Sequence, residues 1–197
     1  MYLSFVKPIL DWIAALFALV LLSPVFFIVA LLIKFDSSGP VFFIQNRLGK
    51  DGIVFKVFKF RSMTVSQPQN SQNGSRLYEN DPRITKVGRF IRKTSIDELP
   101  QLINILKGDM SFIGPRPPVT YFPKKYDDYS EFEKQRFKVK PGISGLAQVR
   151  CREVHDWDIN IPIDVEYVKS CSFLFDLKLF VSSLFFFFKT DNIYCKE

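Results

Sequence analysis

Histidine is nearly absent: His155 is the only one among 197 residues. That argues against a Ser-His-Asp relay and against any metal centre needing several imidazoles. Cysteine is also scarce, with Cys151, Cys171 and Cys195 as the full set. The count is odd and no pair has metal-ligand spacing, so a disulfide framework is not expected and a reducing compartment fits. Acidic residues are in deficit, 20 Asp+Glu against 27 Lys+Arg, for a net charge of +7. This balance favours an anionic partner: nucleic acid, acidic lipid or a phosphorylated small molecule. No internal repeat is apparent. Phenylalanine, in contrast, is abundant at 22 residues. A chain of one domain's length struggles to bury so many rings, and membrane contact relieves that problem.

The apolar surplus is concentrated in ILDWIAALFALVLLSPVFFIVALLI, residues 9–33, where Asp11 is the only charge. Its length suits a membrane segment rather than a buried core helix. It lacks an A-x-A cleavage site and outruns a signal-peptide core. Ser23 and Pro24 interrupt it. Pro24 removes a backbone N–H and crowds the preceding turn, so a break is expected there. Each half is then too short to cross a bilayer alone. The segment either spans as one bent helix or enters and leaves by the same face. Lys7 and Lys34 lie one on each flank and give no positive-inside asymmetry to choose between them.

Ser37-Ser-Gly-Pro40 closes this segment. Residues 41–45 and 53–61 read as strands joined by the turn-rich NRLGKDG. By the two-residue period Lys59 and Arg61 share a face and Lys56 takes the other. Residues 65–80 are polar and read as a mobile loop. Between Asp81 and Lys93 stand Arg83, Lys86, Arg89, Arg92 and Lys93. A helix is expected from about Asp97 to Lys107, with Leu99, Leu102, Ile103 and Leu106 on its buried face and Gly108 as its stop. Residues 123–138 read as a second, exposed helix. The apolar stretch 179–188 is too short to span and suits a helix lying in the membrane surface or packed on the first segment.

The adjacent carboxylates Asp97 and Glu98 are the centre of the chemistry. Placed at a helix start after a basic stretch, they lie where phosphate binds well. Neighbouring arginines favour the anionic form, and a carboxylate can attack phosphorus to give an acyl phosphate. The structural alternative is equally concrete. Ser95-x-x-Glu98 is a capping-box pattern, and Asp97 could itself be the cap, with Pro100 in the first turn. Downstream, Gly108, Gly114, Pro115 and Pro117 frame Arg116. An arginine on so stiff a chain suits bidentate phosphate binding, or it is merely solvated on a surface loop.

The stretch SIDELPQLINILKGDMSFIGPRP, residues 95–117, resembles the signature of the bacterial sugar transferases, the monotopic phosphoglycosyl transferases. FIQNRLG (43–49) and FKVFKFRSM (55–63) resemble the family's early strands, and KPGISGLAQV (140–149) its later turn. The N-terminal run with Ser23-Pro24 also matches. The resemblance covers nearly the whole chain and suits the minimal catalytic form.

That resemblance implies an α+β fold: a small catalytic domain over 37–197 with interfacial helices, anchored by a re-entrant helix hairpin over 1–36 that leaves both ends in the cytoplasm. It implies an enzyme at the cytoplasmic face of the bacterial inner membrane. Asp97 is expected to attack the sugar-linked phosphate of a UDP-sugar. UMP leaves, and polyprenol (undecaprenyl) phosphate then takes the phosphosugar from the aspartyl intermediate. Glu98 matches the second acid of the dyad, assisting magnesium binding or proton removal, so Asp97 and Glu98 are also the expected Mg2+ ligands. Lys59, Arg92 and Arg116 match basic positions expected to hold phosphates. Arg152 and Asp109 join them as candidates, although Asp109 beside Gly108 equally reads as a turn residue. Membrane lipid is an expected partner and nucleic acid is not. A second copy of the chain and downstream glycosyltransferases are partners the resemblance leaves open.

Departures lie downstream: Cys151 replaces a glycine, Glu153 an amide and Glu166 an aromatic common in relatives. If this region shapes the sugar pocket, the sugar differs from well-known cases; for Cys151 a plain tolerated substitution is the simpler reading. His155 and Trp157 read as packing or rim residues. Two alternatives stand beside this reading, the second of which keeps the overall reaction. One is a membrane-anchored module without catalysis that binds acidic lipid or nucleic acid through the basic stretch, which gives no reason for Asp97-Glu98 or for the glycine-proline frame around Arg116. The other is direct displacement, with the carboxylates acting only on magnesium.

Overall fold

The computed structural model describes residues 2–64, 81–151 and 156–188. Arg152, Glu153, His155, Cys195 and the 65–80 loop lie outside them. The architecture is α+β, with helices dominating and, among the described residues, four short strands in two separate pairs.

The apolar run forms two helices, α1 (Lys7–Leu21) and α2 (Ser23–Asp36), preceded by a π-helical turn at Tyr2–Val6. Leu22, with φ −89° and ψ 2°, is the joint, and Pro24 sits in the first turn of α2, where its missing N–H costs little. Tyr2–Leu21 is long and apolar enough to cross a membrane by length and composition. Large side chains such as Phe17 (69% exposed) and Phe35 (86% exposed) point away from the body. On the inner side Ala15, Val29 and Ile33 are buried.

Both outer ends of the segment are tied to the rest of the chain. At the start, Lys7 Nζ donates to Asp176 Oδ2 at 2.6 Å, and Ser111 Oγ donates to Asp11 Oδ2 at 2.7 Å. At the finish, Arg61 donates to the carbonyls of Ser37 (2.7 Å) and Ser38 (2.6 Å), and Val87 N–H donates to Asp36 Oδ2 at 2.9 Å. Arg61 therefore takes up the free carbonyls past α2 rather than staying beside Lys59. Strand geometry ends at Phe60, and the two-residue period does not carry past it.

β1 (Phe42–Leu48) and β2 (Val54–Phe60) form an antiparallel hairpin in which Phe43 pairs with Lys59 and Arg47 with Phe55. α3 (Lys86–Lys93) follows, its N-terminus capped by Thr85 Oγ1, which accepts from Gly88 N–H at 2.9 Å. Gly88 lies so close to the Ser62 carbonyl that any Cβ would collide with it, which draws α3 against the end of β2.

The helix expected from Asp97 is shorter and turned differently. Ser95 adopts a left-handed conformation (φ 54°), a 3-10 turn spans Ile96–Glu98, and α4 is only Gln101–Leu106. Its buried residues are Gln101, Leu102, Asn104 and Ile105; of the expected face Leu102 is buried, Leu99 and Leu106 are partly buried against the core, and Ile103 is only half-buried. Asn104 is the reason. Its side chain accepts from Phe58 N–H (3.0 Å) and donates to the Lys56 carbonyl (2.7 Å), satisfying the free edge of β2 and fixing α4 against it. Ala15, Phe55, Val57, Leu102, Ile105 and Met110 close the core at this junction.

β3 (Ser111–Ile113) pairs in parallel with β4 (Gly142–Ser144). The 123–138 region is not one exposed helix. It is a 3-10 turn at Tyr126–Asp128, α5 (Glu131–Lys134) with a capping box from Ser130, and a further 3-10 turn in which Arg136 and Phe137 are buried. α6 (Leu146–Arg150) and α7 (Trp157–Ser170) come next. α8 (Phe173–Phe188) begins earlier than its apolar stretch suggests. It packs on α1 through Asp176–Lys7 and still exposes Leu174, Leu177, Val181 and Phe185.

Candidate active site

Four segments converge on one shallow, open cleft. β1 supplies Arg47, β2 supplies Lys59, the 3-10 turn before α4 supplies Glu98, and the loop after β3 supplies Arg116. Gln101, Val57, Pro117, Gly142 and Ile143 complete the lining. Gly114, just ahead of Arg116, admits no side chain, because a Cβ would collide with the Lys140 carbonyl. That close approach lets the Arg116 loop lie across the β3–β4 pair.

The two carboxylates are treated differently. Lys59 Nζ donates to Glu98 Oε1 at 2.6 Å. Burial alone would push Glu98 up, but Lys59, Arg116 and Arg47 overcome it and hold the carboxyl down at about 2. Among the described residues Asp97 makes no ion pair and no side-chain hydrogen bond to another residue; only its own backbone N–H acts on the carboxylate. Burial, reinforced by the charge of Glu98, pushes it up to about 6 against the opposing pull of Lys59 and Arg92. Neither Ser95 nor Asp97 caps a helix: the turn at Ile96–Glu98 and α4 both begin without a side-chain cap. The capping alternative is thereby removed, and no other residue's side chain engages the Asp97 carboxylate among the described residues.

The cations outnumber the acids. Arg47 and Arg116 press on each other, and burial together with that repulsion lowers the Arg47 guanidinium to about 10 while leaving it charged at neutral pH. Arg92, on α3, also lowers Asp97 by its charge, and its buried Nε has no partner among the described residues. The Arg116 side chain is exposed. Such a set has unspent capacity for an anion with several oxygens.

Of the expected site residues, Glu98, Lys59 and Arg116 meet in the cleft; Asp97 and Arg92 do not line it, though Asp97 feels the charges of Lys59, Glu98 and Arg92. Asp109 does not join them. It sits past the far end of α4, 3.5 Å from Lys107 Nζ, as a turn residue would. Arg152 lies outside the described residues. Arg47 and Gln101 were missed. The hairpin register pairs Phe43 with Lys59 and Arg47 with Phe55, so the two-residue period of β1 would have put Arg47 on the Lys59 face. Downstream, Glu166 is engaged by Arg150 at 2.6 Å in an exposed ion pair, and Cys151 and Cys171 are free thiols.

The sequence profile described as "Bacterial sugar transferase" matches residues 2–190. The chain belongs to the bacterial sugar transferase family. Relatives of this sugar transferase include the UDP-glucose:undecaprenyl-phosphate glucose-1-phosphate transferase of Escherichia coli (strain K12), 42% identical over 180 residues, covering 89% of the chain and 38% of that protein. The UDP-N-acetylgalactosamine-undecaprenyl-phosphate N-acetylgalactosaminephosphotransferase of Aeromonas hydrophila is 45% identical over 179 residues, covering 88% and 41%. The sugar transferase EpsL of Bacillus subtilis (strain 168), described as uncharacterized, is 41% identical over 174 residues, covering 88% of the chain and 82% of its own length. The chain thus spans about two fifths of the first two relatives.

Proposed function

We propose that this sugar transferase moves a phosphosugar from a UDP-sugar to polyprenol phosphate, releasing UMP, through a covalent bond to Asp97. One observation carries the reading: of two neighbouring carboxylates, Lys59 holds Glu98, and Asp97 is left without a side-chain partner beside a cation-rich cleft.

An Asp97 oxygen attacks the phosphorus that bears the sugar. The bond from that phosphorus to the bridging oxygen breaks, and UMP departs with the electron pair. A polyprenol phosphate oxygen then attacks the same phosphorus, the carboxylate leaves, and the product is a polyprenyl diphosphosugar. Arg47, Lys59, Arg92 and Arg116 neutralise the phosphate oxygens, whose charge opposes both attacks.

Magnesium fits the donor set. Two hard carboxylates, with Lys59 on only one oxygen of Glu98, match an ion that takes one or two protein carboxylates and completes its shell with phosphate and water. Asp97 and the Glu98 Oε2 atom would hold it, and it would supply charge neutralisation at the diphosphate. Among the described residues no third Asp, Glu, His or Cys joins them, which suits magnesium held jointly with substrate better than an all-protein cage.

Membrane placement follows the same logic. Lys7 and Asp36 bracket the apolar segment, and both are bonded to one globular body. This supports a re-entrant segment whose ends share a face, with the cleft at the cytoplasmic surface where UDP-sugar and lipid phosphate meet. The E. coli and A. hydrophila relatives are named for different sugars at similar identity to this chain, so overall similarity does not select the sugar.

The test is a panel of UDP-sugars with undecaprenyl phosphate and Mg2+, read as UMP. One or more sugars should give at most about one UMP per enzyme without lipid phosphate, and repeated turnovers once it is present in excess over enzyme. No UMP from any sugar, with salt-sensitive binding of the protein to anionic vesicles, would favour the non-catalytic module instead.

A further inference from the structure

The loop that carries Arg116 cannot hold itself. Pro115, Pro117 and Pro118 have no N–H to donate, so no local ladder can form. Yet all four carbonyls from 115 to 118 are satisfied from outside. Gly142 N–H donates to Pro115 O at 3.0 Å, and Leu48 N–H to Pro118 O at 2.9 Å. The central two are taken by arginine side chains: Arg136 Nη2 to Arg116 O at 2.8 Å, and Arg47 Nη1 to Pro117 O at 2.9 Å.

Arg136 is 1% exposed, and its partner Asp164 on α7 is 1% exposed. Arg136 Nε and Nη2 both donate to Asp164 Oδ2, at 3.2 and 2.6 Å. The guanidinium carbon lies 5.2 Å from each of the Phe137 and Trp157 rings. Its Nη1 has no partner among the described residues, and neither has Asp164 Oδ1. A buried ion pair with unmet hydrogen-bonding capacity is a poor source of stability, because apolar residues of similar volume commonly do as well or better. Stability therefore does not account for it. What the pair does in space is hold one rigid, pre-oriented donor against the carbonyl of the residue that faces the phosphates.

The geometry points to Arg136, locked by Asp164, as a positioning residue that acts on phosphate binding through Arg116, with Arg47 as its counterpart on the next carbonyl. Arg136 itself reaches no substrate, being enclosed on α7's side of the loop. The assignment rests on the transfer reading for what Arg116 binds.

Non-additivity tests it. The probe is UDP with Mg2+, which carries the diphosphate and needs no knowledge of the sugar. Arg136→Lys keeps the charge but cannot serve Asp164 and the Arg116 carbonyl together; Asp164→Asn keeps the shape and loosens the lock. Each is expected to weaken UDP about tenfold in the wild-type background and by less than about twofold in an Arg116→Ala background. Equal losses in both backgrounds would overturn the positioning role, whether or not the variants melt lower, since a general packing defect is indifferent to residue 116. Lys124→Met, which breaks the exposed-side Lys124–Glu133 pair on the same segment, is the control and should leave UDP affinity unchanged. UMP release by the wild type, abolished in Asp97→Asn, tests the transfer reading separately, so additivity with normal turnover rejects the positioning role alone.

Discussion

Two polar clusters in this molecule each gather two acids and a lysine, for opposite ends. The first, between α1, α7 and α8, is closed. Asp176 accepts from Tyr2, Lys7 and Tyr167 at 2.6, 2.6 and 2.8 Å, and Asp11 accepts from Ser111. Its single lysine serves two acids, and each carboxylate has a donor. The second, in the cleft, is open. It places Arg47, Lys59, Arg92 and Arg116 around two acids and leaves Asp97 without a side-chain partner, and the Arg116 side chain and Arg92 Nε without any, among the described residues. The closed cluster bolts an apolar segment to the domain. The open one has charge and hydrogen-bonding capacity left for a ligand. Saturation, more than composition, separates a polar cluster that supports a fold from one that supports a reaction.

The largest expected effect breaks the comparison at its most open point. Asp97→Asn should cut UMP release by roughly a thousandfold or more, the scale for loss of a nucleophile. Arg116→Ala should cost roughly a hundredfold in kcat/KM, as removal of one charge-stabilising donor does, with little change in melting temperature. The closed cluster predicts the reverse pattern. Asp176→Ala leaves Lys7 buried without its close partner, so stability in detergent should fall by roughly 3 kcal/mol or more, while turnover per folded molecule stays near wild type.

Smaller effects sharpen the electrostatic side. An attacking Asp97 must be ionised, so kcat/KM should rise with pH along a limb near about 6. Lys59→Met removes the strongest pull that lowers Asp97, and the limb should move to higher pH. The stability consequence has the opposite sense. Burial raises the folded-state value above the unfolded one, so the folded form binds more protons between them and ionised Asp97 is destabilising above pH about 6. Asp97→Asn should therefore melt roughly 2 °C higher at pH 8, a gain that vanishes below pH about 4.

Much of the open cluster is legible in the sequence because its chemistry is local. Asp97, Glu98 and Arg116 lie within 23 consecutive residues, and the glycine-proline frame around Arg116 marks that loop as rigid. Lys59 needs only a strand and its period. Arg47 is one step harder, since its face depends on the hairpin register. Arg136 and Asp164 are harder still: a charged stretch reads as solvated surface, and only the tertiary packing of Phe137 and Trp157 reveals a guanidinium sealed inside. The same limit applied to α4. Four apolar residues at helical spacing describe a plausible buried face, but the strand edge of β2 needed a polar partner, and Asn104 turned inward to meet it. The apolar segment and its interruption, at Leu22 just ahead of Ser23-Pro24, are plain in the sequence, because nothing but length, apolarity and one proline is involved.

Intact-mass analysis of purified protein mixed with its UDP-sugar and Mg2+, with no lipid acceptor, tests the central claim most directly. A mass increase of one phosphosugar is expected, mapped to Asp97, lost when undecaprenyl phosphate is added, and absent in Asp97→Asn. An unmodified wild type that nevertheless turns over at full rate once lipid is supplied would contradict it and would leave direct displacement as the mechanism.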